Sequence, residues 1–277
     1  MTTIVVPVFN APEETGRCLA SLAHHISSDV RVIVINDASD DAGIDGVLAE
    51  IPSHWTRIDN EQNIGFVATA NLGMTMASSD DVLLLNADTE VTSGFLEALN
   101  DALHSNPTIA SVSPLTNHGE IASIPKFCTA NPYPNDLERW ADACRCSFED
   151  DNIPDYVEVP TTIGFCMLLR REALNQVGYF DEAAFGRGYG EENDWCQRAI
   201  QAGWRHILCD RAFVAHRGGA SFGPLGLKPG GEAMAKLIER YPNYEQDVAA
   251  FIKADPMAHR RQAIVEYYLH SQHNTGS

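Results

Sequence analysis

Thr3-Ile4-Val5-Val6-Pro7-Val8-Phe9-Asn10 is the stretch whose reading decides the fold. The first six residues are mostly β-branched, and Phe9-Asn10-Ala11-Pro12 breaks the run. That pattern predicts a short strand buried on both faces. Residues 12–26 follow with helical spacing, which brings Cys18, Leu19, Leu22 and Ile26 near one face. Val30-Arg31-Val32-Ile33-Val34-Ile35 is a second strand, and it ends in Asn36-Asp37-Ala38-Ser39-Asp40-Asp41. Strand, helix and strand within about 35 residues form a βαβ unit with a parallel pair. Polar residues at the carboxyl ends of such strands are where ligands bind in open α/β sheets.

The alternation continues outward. Residues 43–51 suit a short helix and Thr56-Arg57-Ile58-Asp59 a third strand. Asn63 to about Ala77 opens and carries a helix, and Asp81 to Asn86 is a fourth strand. A helix from Gly94 to His104 and a strand from Ile109 to Ser113 complete an alternating βα half. Seven of the fourteen prolines then fall between Pro107 and Pro160. Apart from a helix expected from Asp136 to Cys146, this segment reads as loop, either covering a site or lying on the surface as an insertion. Thr161 to Leu169 reads as a buried strand, Arg170 to Gly178 as helix, and Asn193 to Ala202 as helix. His206 to Cys209 and Ala212 to His216 read as two short strands. From about Gly231 the pattern is helical. Two units are expected: a domain over 1–225 and a helical C-terminal extension over 226–277.

Composition narrows the function classes. The 277 residues are 44% hydrophobic, enough for one large core. Thirty-eight acids against nineteen lysines and arginines leave a formal charge of −19. That excess argues against nucleic acid as partner and against a basic membrane-binding face. It leaves room for a nucleotide ligand bridged by a metal. The seven cysteines include no C-x-x-C pair, so a zinc site is not expected, and several lie in apolar runs that suit free buried thiols. No apolar run reaches 18 residues, and the chain reads as soluble and cytoplasmic. Loose attachment to the inner membrane face or to a multi-enzyme complex stays open.

Two acidic clusters carry the chemistry. Gly188-Tyr189-Gly190-Glu191-Glu192-Asn193-Asp194 places three carboxylates within four residues ahead of a helix. They either cap that helix or serve a site. Far upstream, Leu83-Leu84-Leu85-Asn86-Ala87-Asp88-Thr89-Glu90 runs an apolar strand into Asn-x-Asp. Two such clusters at the ends of buried elements suggest one polar site, one cluster holding a metal and the other moving a proton. Asp88 as a cap for the helix at Gly94, and Asp37 with Asp40 as an Asx turn, are the structural alternatives.

In order, Val6-Pro7-Val8-Phe9-Asn10, Ile35-Asn36-Asp37-Ala38-Ser39, Asn63-Ile64-Gly65 with Asn71-Leu72-Gly73, and Leu85-Asn86-Ala87-Asp88-Thr89 resemble the motifs of GT-A family 2 glycosyltransferases. Gly178-Tyr179-Phe180-Asp181-Glu182 and Glu191-Glu192-Asn193-Asp194 with Arg198 resemble that family's G-x-F-D-E and E-D-x-D-x-x-x-R segments. The similarity covers about residues 2–222 and is nearest to the rhamnosyltransferase-like branch, which also reads N-x-D-T. It implies a GT-A fold: a Rossmann-like, mostly parallel central sheet flanked by helices. It also implies an inverting hexosyl- or deoxyhexosyltransferase of surface polysaccharide synthesis, with a UDP- or dTDP-sugar donor, a divalent cation (Mg2+ or Mn2+), and a glycan or lipid-linked glycan acceptor. By position, Pro7, Val8, Asn10, Asp37, Asn63, Asn71 and Asn86 would bind the nucleotide. Asp88 would ligate the metal with His216 beside it, and Glu192 would be the base. Gly164, Phe165 and Tyr189 would line the acceptor side. Asn86 stands where the family has the first Asp of D-x-D, and an amide is a weaker ligand for a hard cation. Glu-Glu stands for Glu-Asp, so Glu191 and Glu192 both remain candidate bases.

The chemistry suits these residues. A sugar hydroxyl is a weak acid, so a carboxylate must take its proton as the new bond forms. The departing diphosphate needs a cation or N–H donors. A sugar-phosphate nucleotidyltransferase would instead need a Gly-rich loop with Lys or Arg after the first strand, and Pro7 to Pro12 has neither basic residue. A non-catalytic sugar-nucleotide or glycan-binding module is the third possibility.

Overall fold

The structure is a computed structural model, described here for residues 1–147, 156–186, 188–218 and 231–271. In chain order the elements are β1 (Thr2–Val8), α1 (Pro12–His25), β2 (Arg31–Asn36), α2 (Ile44–Ala49), β3 (Thr56–Asp59), α3 (Phe66–Met76), β4 (Asp81–Leu85) and β5 (Thr89–Val91). Then come α4 (Phe95–His104), β6 (Ile109–Leu115), α5 (Leu137–Cys146), β7 (Val157–Val159), β8 (Cys166–Leu169), α6 (Arg171–Val177), α7 (Glu182–Phe185) and α8 (Glu191–Gln201). The last are β9 (Arg205–His216), α9 (Gly231–Arg240), α10 (Tyr244–Ala254) and α11 (Ala258–His270).

The sheet order is β3-β2-β1-β4-β8-β6-β9-β5, with β7 also pairing β9. β1 to β4, β6 and β9 run one way, while β5, β7 and β8 run against them. Successive strand residues point to opposite faces. Ile4, Val6, Val34, Leu83 and Leu85 pack with Leu22 of α1, Leu48 of α2 and Leu99 of α4. Val5, Ile33, Ile35 and Leu84 pack with Met74 of α3, Leu174 of α6 and Trp195 of α8. The result is a three-layer α/β sandwich, which the near-continuous apolar strands require. A third cluster joins Trp140 of α5, Phe213 of β9 and Ile264 of α11.

The sequence pattern placed several boundaries differently. The strand expected over Thr161 to Leu169 is only Cys166–Leu169. Upstream of it, the Ser113 hydroxyl bonds both the N–H and the C=O of Ile163, so a side chain replaces the sheet ladder. The two strands expected over 206–216 are one, β9. Its centre bends where Pro114 faces Cys209 but Leu115 faces Phe213, and Asp210 in the bend is buried against Arg260. β5 and β7 are three residues each, too short to show a period. The helix expected from Asn193 begins at Glu191, because Gly190 adopts φ 95° and ends the turn before it.

All seven cysteines are free and five of them are buried. Among the described residues no helix is long and apolar enough to cross a membrane.

Helix α3 lies close against the sheet at Gly73, where an added Cβ would lie 2.2 Å from Val5 Cγ1. Gly73→Ala should therefore overpack the α3–β1 contact, at about 1–3 kcal/mol. A drop of several degrees in the thermal midpoint is expected. An unchanged midpoint by calorimetry would show that α3 can move off the sheet freely.

Candidate active site

The first half of the site is built where β4 ends. The N–H of Asn86 donates to the Phe165 carbonyl at 2.8 Å, and the Thr89 hydroxyl donates to the Asn86 carbonyl at 2.7 Å. β5 then pairs antiparallel with the end of β9, Thr89 opposite His216. The Arg217 N–H donates to the Asp88 carbonyl at 3.0 Å. This register sets His216 Nε2 at 3.4 Å from Asp88 Oδ1, 128 residues away in sequence. The other ring nitrogen, Nδ1, lies 2.7 Å from the His118 carbonyl, and the imidazole stacks on Phe165 at 5.0 Å between centroids. Burial opposes charge on His216, but the Asp88 carboxylate and the His118 carbonyl outweigh it and raise its pKa. Asp88 is not a cap: α4 starts after Gly94, with no side-chain cap.

The second half is the start of α8. Gly190 has room for no Cβ beyond 3.0 Å from the Phe185 ring, and it holds the left-handed backbone that launches the helix. Glu191 and Glu192 therefore occupy the first helical turn. The free N–H groups there would favour carboxylate anions. Burial wins instead, and both glutamates titrate above the usual carboxylate range, Glu191 well above, with Glu192's charge adding to its shift. Glu191 is 4% exposed, and one oxygen of each glutamate is buried without a hydrogen-bond partner. Such groups cost stability unless something binds them.

Both halves open into one cavity of about 260 Å³. Asn86, Asp88 and His216 line it together with Gly164, Phe165, Tyr189, Glu191 and Glu192. Tyr189 senses both halves: its phenol is held up by burial and then by the charges of Asp88, Glu191 and Glu192. A Cβ on Gly164 would touch Glu192 Cγ at 3.6 Å, so this glycine flanks the carboxylate. His118, Glu120 and residues of α9 and α10 also line the cavity, and the sequence pattern did not single them out. The signal for His118 and Glu120 was the proline-rich segment read as a covering loop; for α9 and α10 there was none.

Pro7, Val8, Asn10, Asp37, Asn63 and Asn71 do not line that cavity. The first four cluster at the carboxyl ends of β1 and β2. Val8 is 1% exposed and sits in the core, with its carbonyl accepting from the Asp37 N–H. Asn10 zips two loops: its amide donates to Asp40 and accepts from the N–H groups of Asp40 and Asp41. Asp37 accepts from Asn60 Nδ2, Ile64 N and Gly65 N at 2.8–2.9 Å, and so fixes the entry to α3. The Asx turn here belongs to Asp41, which accepts from the Gly43 N–H two residues on, while Asn36 accepts from the Ser39 N–H. Asn63 donates to the Asp37 carbonyl. Asn71 spends both ends of its amide on the backbone of Phe180.

Beyond the cavity, Asp194 is fully buried and accepts from Arg198, Arg240 and Tyr241. Arg198 continues to the carbonyls of Val177 and Tyr179.

The sequence model described as Glycosyl transferase family 2 matches residues 3–178. The chain belongs to that family. It is similar to an N-acetylglucosaminyl-diphospho-decaprenol L-rhamnosyltransferase of Mycobacterium tuberculosis, 26% identical over 254 residues, covering 80% of this chain and 78% of that one. It is also 26% identical over 225 residues to an uncharacterized protein of the same species, with 78% and 73% covered. Among solved structures, that of GalNAc-T7 with UDP, GalNAc and Mn2+ superposes with a TM-score of 0.64 at 14% identity. The match covers 96% of this chain and about half, 54%, of that one. The fold is GT-A, and the chain is a glycosyltransferase of family 2.

The Asp194 cluster generates a stability order. Removing one partner of a buried ion pair costs up to about 3–5 kcal/mol. Asp194 has no contact with water, whereas Arg240 is 39% exposed. In urea denaturation Asp194→Ala should therefore be the more destabilised of the two, ahead of Arg240→Ala. Equal or reversed midpoints would contradict the central place of Asp194.

Proposed function

We propose that this chain is an inverting glycosyltransferase that moves a hexosyl or deoxyhexosyl unit from a UDP- or dTDP-linked donor to a hydroxyl of a glycan or lipid-linked glycan. The observation that carries this is the single cavity that holds the Glu191–Glu192 pair, each with an unpartnered buried oxygen, together with Asp88 and His216. A relative named for a diphospho-decaprenol acceptor supports a lipid-linked glycan, and a neighbour holding UDP and Mn2+ supports a metal-assisted donor. We assign the reaction to surface polysaccharide synthesis at the cytoplasmic face of the membrane, with 1–225 as the catalytic unit and 226–277 as an extension beside it.

The residues present fit a divalent cation. His216 Nδ1 faces a carbonyl and so carries a hydrogen, and once the ring gives up its second proton Nε2 is aimed at a carboxylate oxygen 3.4 Å away. Two acceptors facing each other make a place for a cation, and the His118 carbonyl orients the ring as metal-bound histidines require. Among the described residues no cluster of three or more His, Cys, Asp or Glu could hold a metal by itself. Two protein ligands suit Mg2+ or Mn2+, which keep several positions for water and phosphate oxygens. Bound there, the cation would neutralise the charge growing on the diphosphate.

Glu192 takes the proton of the acceptor hydroxyl. Glu191, deeper and held further from ionisation, supports the acceptor or the loop. Asn86 at the end of β4 meets the ribose or a metal-bound water. Asp37 has used three of its roughly four acceptor positions on the loop before α3. The remaining position accepts the pyrimidine N3–H, beside Pro7, Val8, Asn10 and Asn63. Asn71 acts at one remove, by holding the turn before α7.

Glu192→Gln keeps shape and hydrogen bonding but cannot accept a proton, so turnover should fall about 10²–10⁴-fold with donor affinity retained. Glu191→Gln should be milder. Should Glu191→Gln prove dead and Glu192→Gln active, the roles are exchanged. The base works deprotonated, and its pKa is raised. Activity should thus be lost as pH falls, with the acid limb above the ordinary glutamate range; a limb near 4.5 would argue against Glu192. Asp88→Ala should abolish transfer and metal-dependent nucleotide binding, and full activity in EDTA would remove the cation from the mechanism.

A further inference from the structure

We propose that α9 and α10 form the acceptor-selecting wall of the cavity, and that this wall takes an apolar group carried by the acceptor next to its sugar. The inference rests on the glycosyltransferase reading above and names the substrate class. Met234 and Leu237 of α9 and Tyr244 and Val248 of α10 line the same cavity as Glu191 and Glu192. Leu237 and Tyr244 are buried, while Met234 and Val248 keep partial exposure. Three of these four side chains offer a sugar hydroxyl neither a donor nor a strong acceptor, and the fourth, Tyr244, keeps only its oxygen as an acceptor. Met234, Leu237 and Val248 have no hydrogen-bonding donor, and the Tyr244 hydroxyl already donates to Asn193 Oδ1. A hydroxyl pressed against those three would lose water without gaining a partner, a cost that an alkyl or aryl group avoids.

The wall is held against the catalytic helix. Arg240 at the end of α9 bonds Asp194 at 2.7 Å and Asp181 at 2.8 Å. At the other end, Ala233 lies where a Cβ on Gly190 would meet it at 3.6 Å. Contacts at both ends of α9 thus tie the wall to the helix bearing the base. The wall lies beyond the family-matched segment, which ends at residue 178.

The test uses the full chain with Mn2+, a panel of UDP- and dTDP-sugars, and paired methyl and octyl glycosides of glucose, N-acetylglucosamine and rhamnose. Acceptors are kept below the concentration at which they form micelles. Burying about two methylenes more should give the octyl acceptor a roughly tenfold lower KM. Met234→Gln and Val248→Asn should each erase most of that preference, while the thermal shift given by UDP or dTDP persists as evidence of a folded donor site. Arg240→Ala should raise acceptor KM more than donor KM, and Arg240→Lys should recover part of the loss. Donor turnover with equal KM for methyl and octyl acceptors would overturn the wall and leave the glycosyltransferase reading standing. An octyl preference unchanged in both wall variants would do the same. Absence of nucleotide binding and of donor consumption with every acceptor would overturn that reading, and the wall with it.

Discussion

The Asp194 carboxylate is the interaction the rest of the site depends on. It is fully buried, yet accepts from two arginines and a tyrosine. A buried charge persists only when it is paired and hydrogen-bonded. Here the pairing ties three things together: the first turn of α8, the turn of residues 177–181 through Arg198, and α9 through Arg240. The stretch that carries the two glutamates is thus clamped from its far side. That clamp lets Glu191 and Glu192 each keep a buried, unpartnered oxygen without the helix turning away to hydrate it.

A competition of magnitudes decides the charge state of that pair. A helix start favours an anion by up to about 1 kcal/mol at an exposed site. Removing a carboxylate from water costs several times more, and a second carboxylate alongside adds to it. The raised affinity of both glutamates for protons is the net outcome. On the Asp88 side, the Asp88 carboxylate and the His118 carbonyl favour the protonated ring of His216, and a cation would take the place of its Nε2 proton. One cavity therefore brings together groups whose protonation is pushed in ways that suit a base and an electrophilic site.

The carboxyl ends of β1 and β2 differ in kind. Asn10, Ala11 and Ala38 all hold positive φ, with Asn10 bonding Asp40 and Asp41 and Asp37 bonding the loop of residues 60–65. Strained backbone at the ends of adjacent strands is costly and survives where surrounding bonds over-determine it. Asn10 and Asp37 supply those bonds. Their task in the fold is to hold the loops at the ends of β1 and β2 in that conformation.

The βα alternation, the buried strands and the two acidic clusters were legible in the order of residues, because side-chain period and turn chemistry are local. The motifs from Val6 to Arg198 likewise pointed to family 2, and Asp88, His216, Glu191 and Glu192 do share one cavity. Only the tertiary structure decided the rest. The antiparallel insertion of β8 between β4 and β6, the short strands β5 and β7, and the single bent β9 arise from pairings between residues far apart, which no local pattern encodes. Asn71 was read as a nucleotide contact, but its amide is spent on Phe180, 109 residues away. The apolar wall of α9 and α10 could not be foreseen from its own sequence. An apolar stripe on a helix says that something covers it, and the ion pair of Arg240 with Asp194 ties it to the helix bearing the two glutamates.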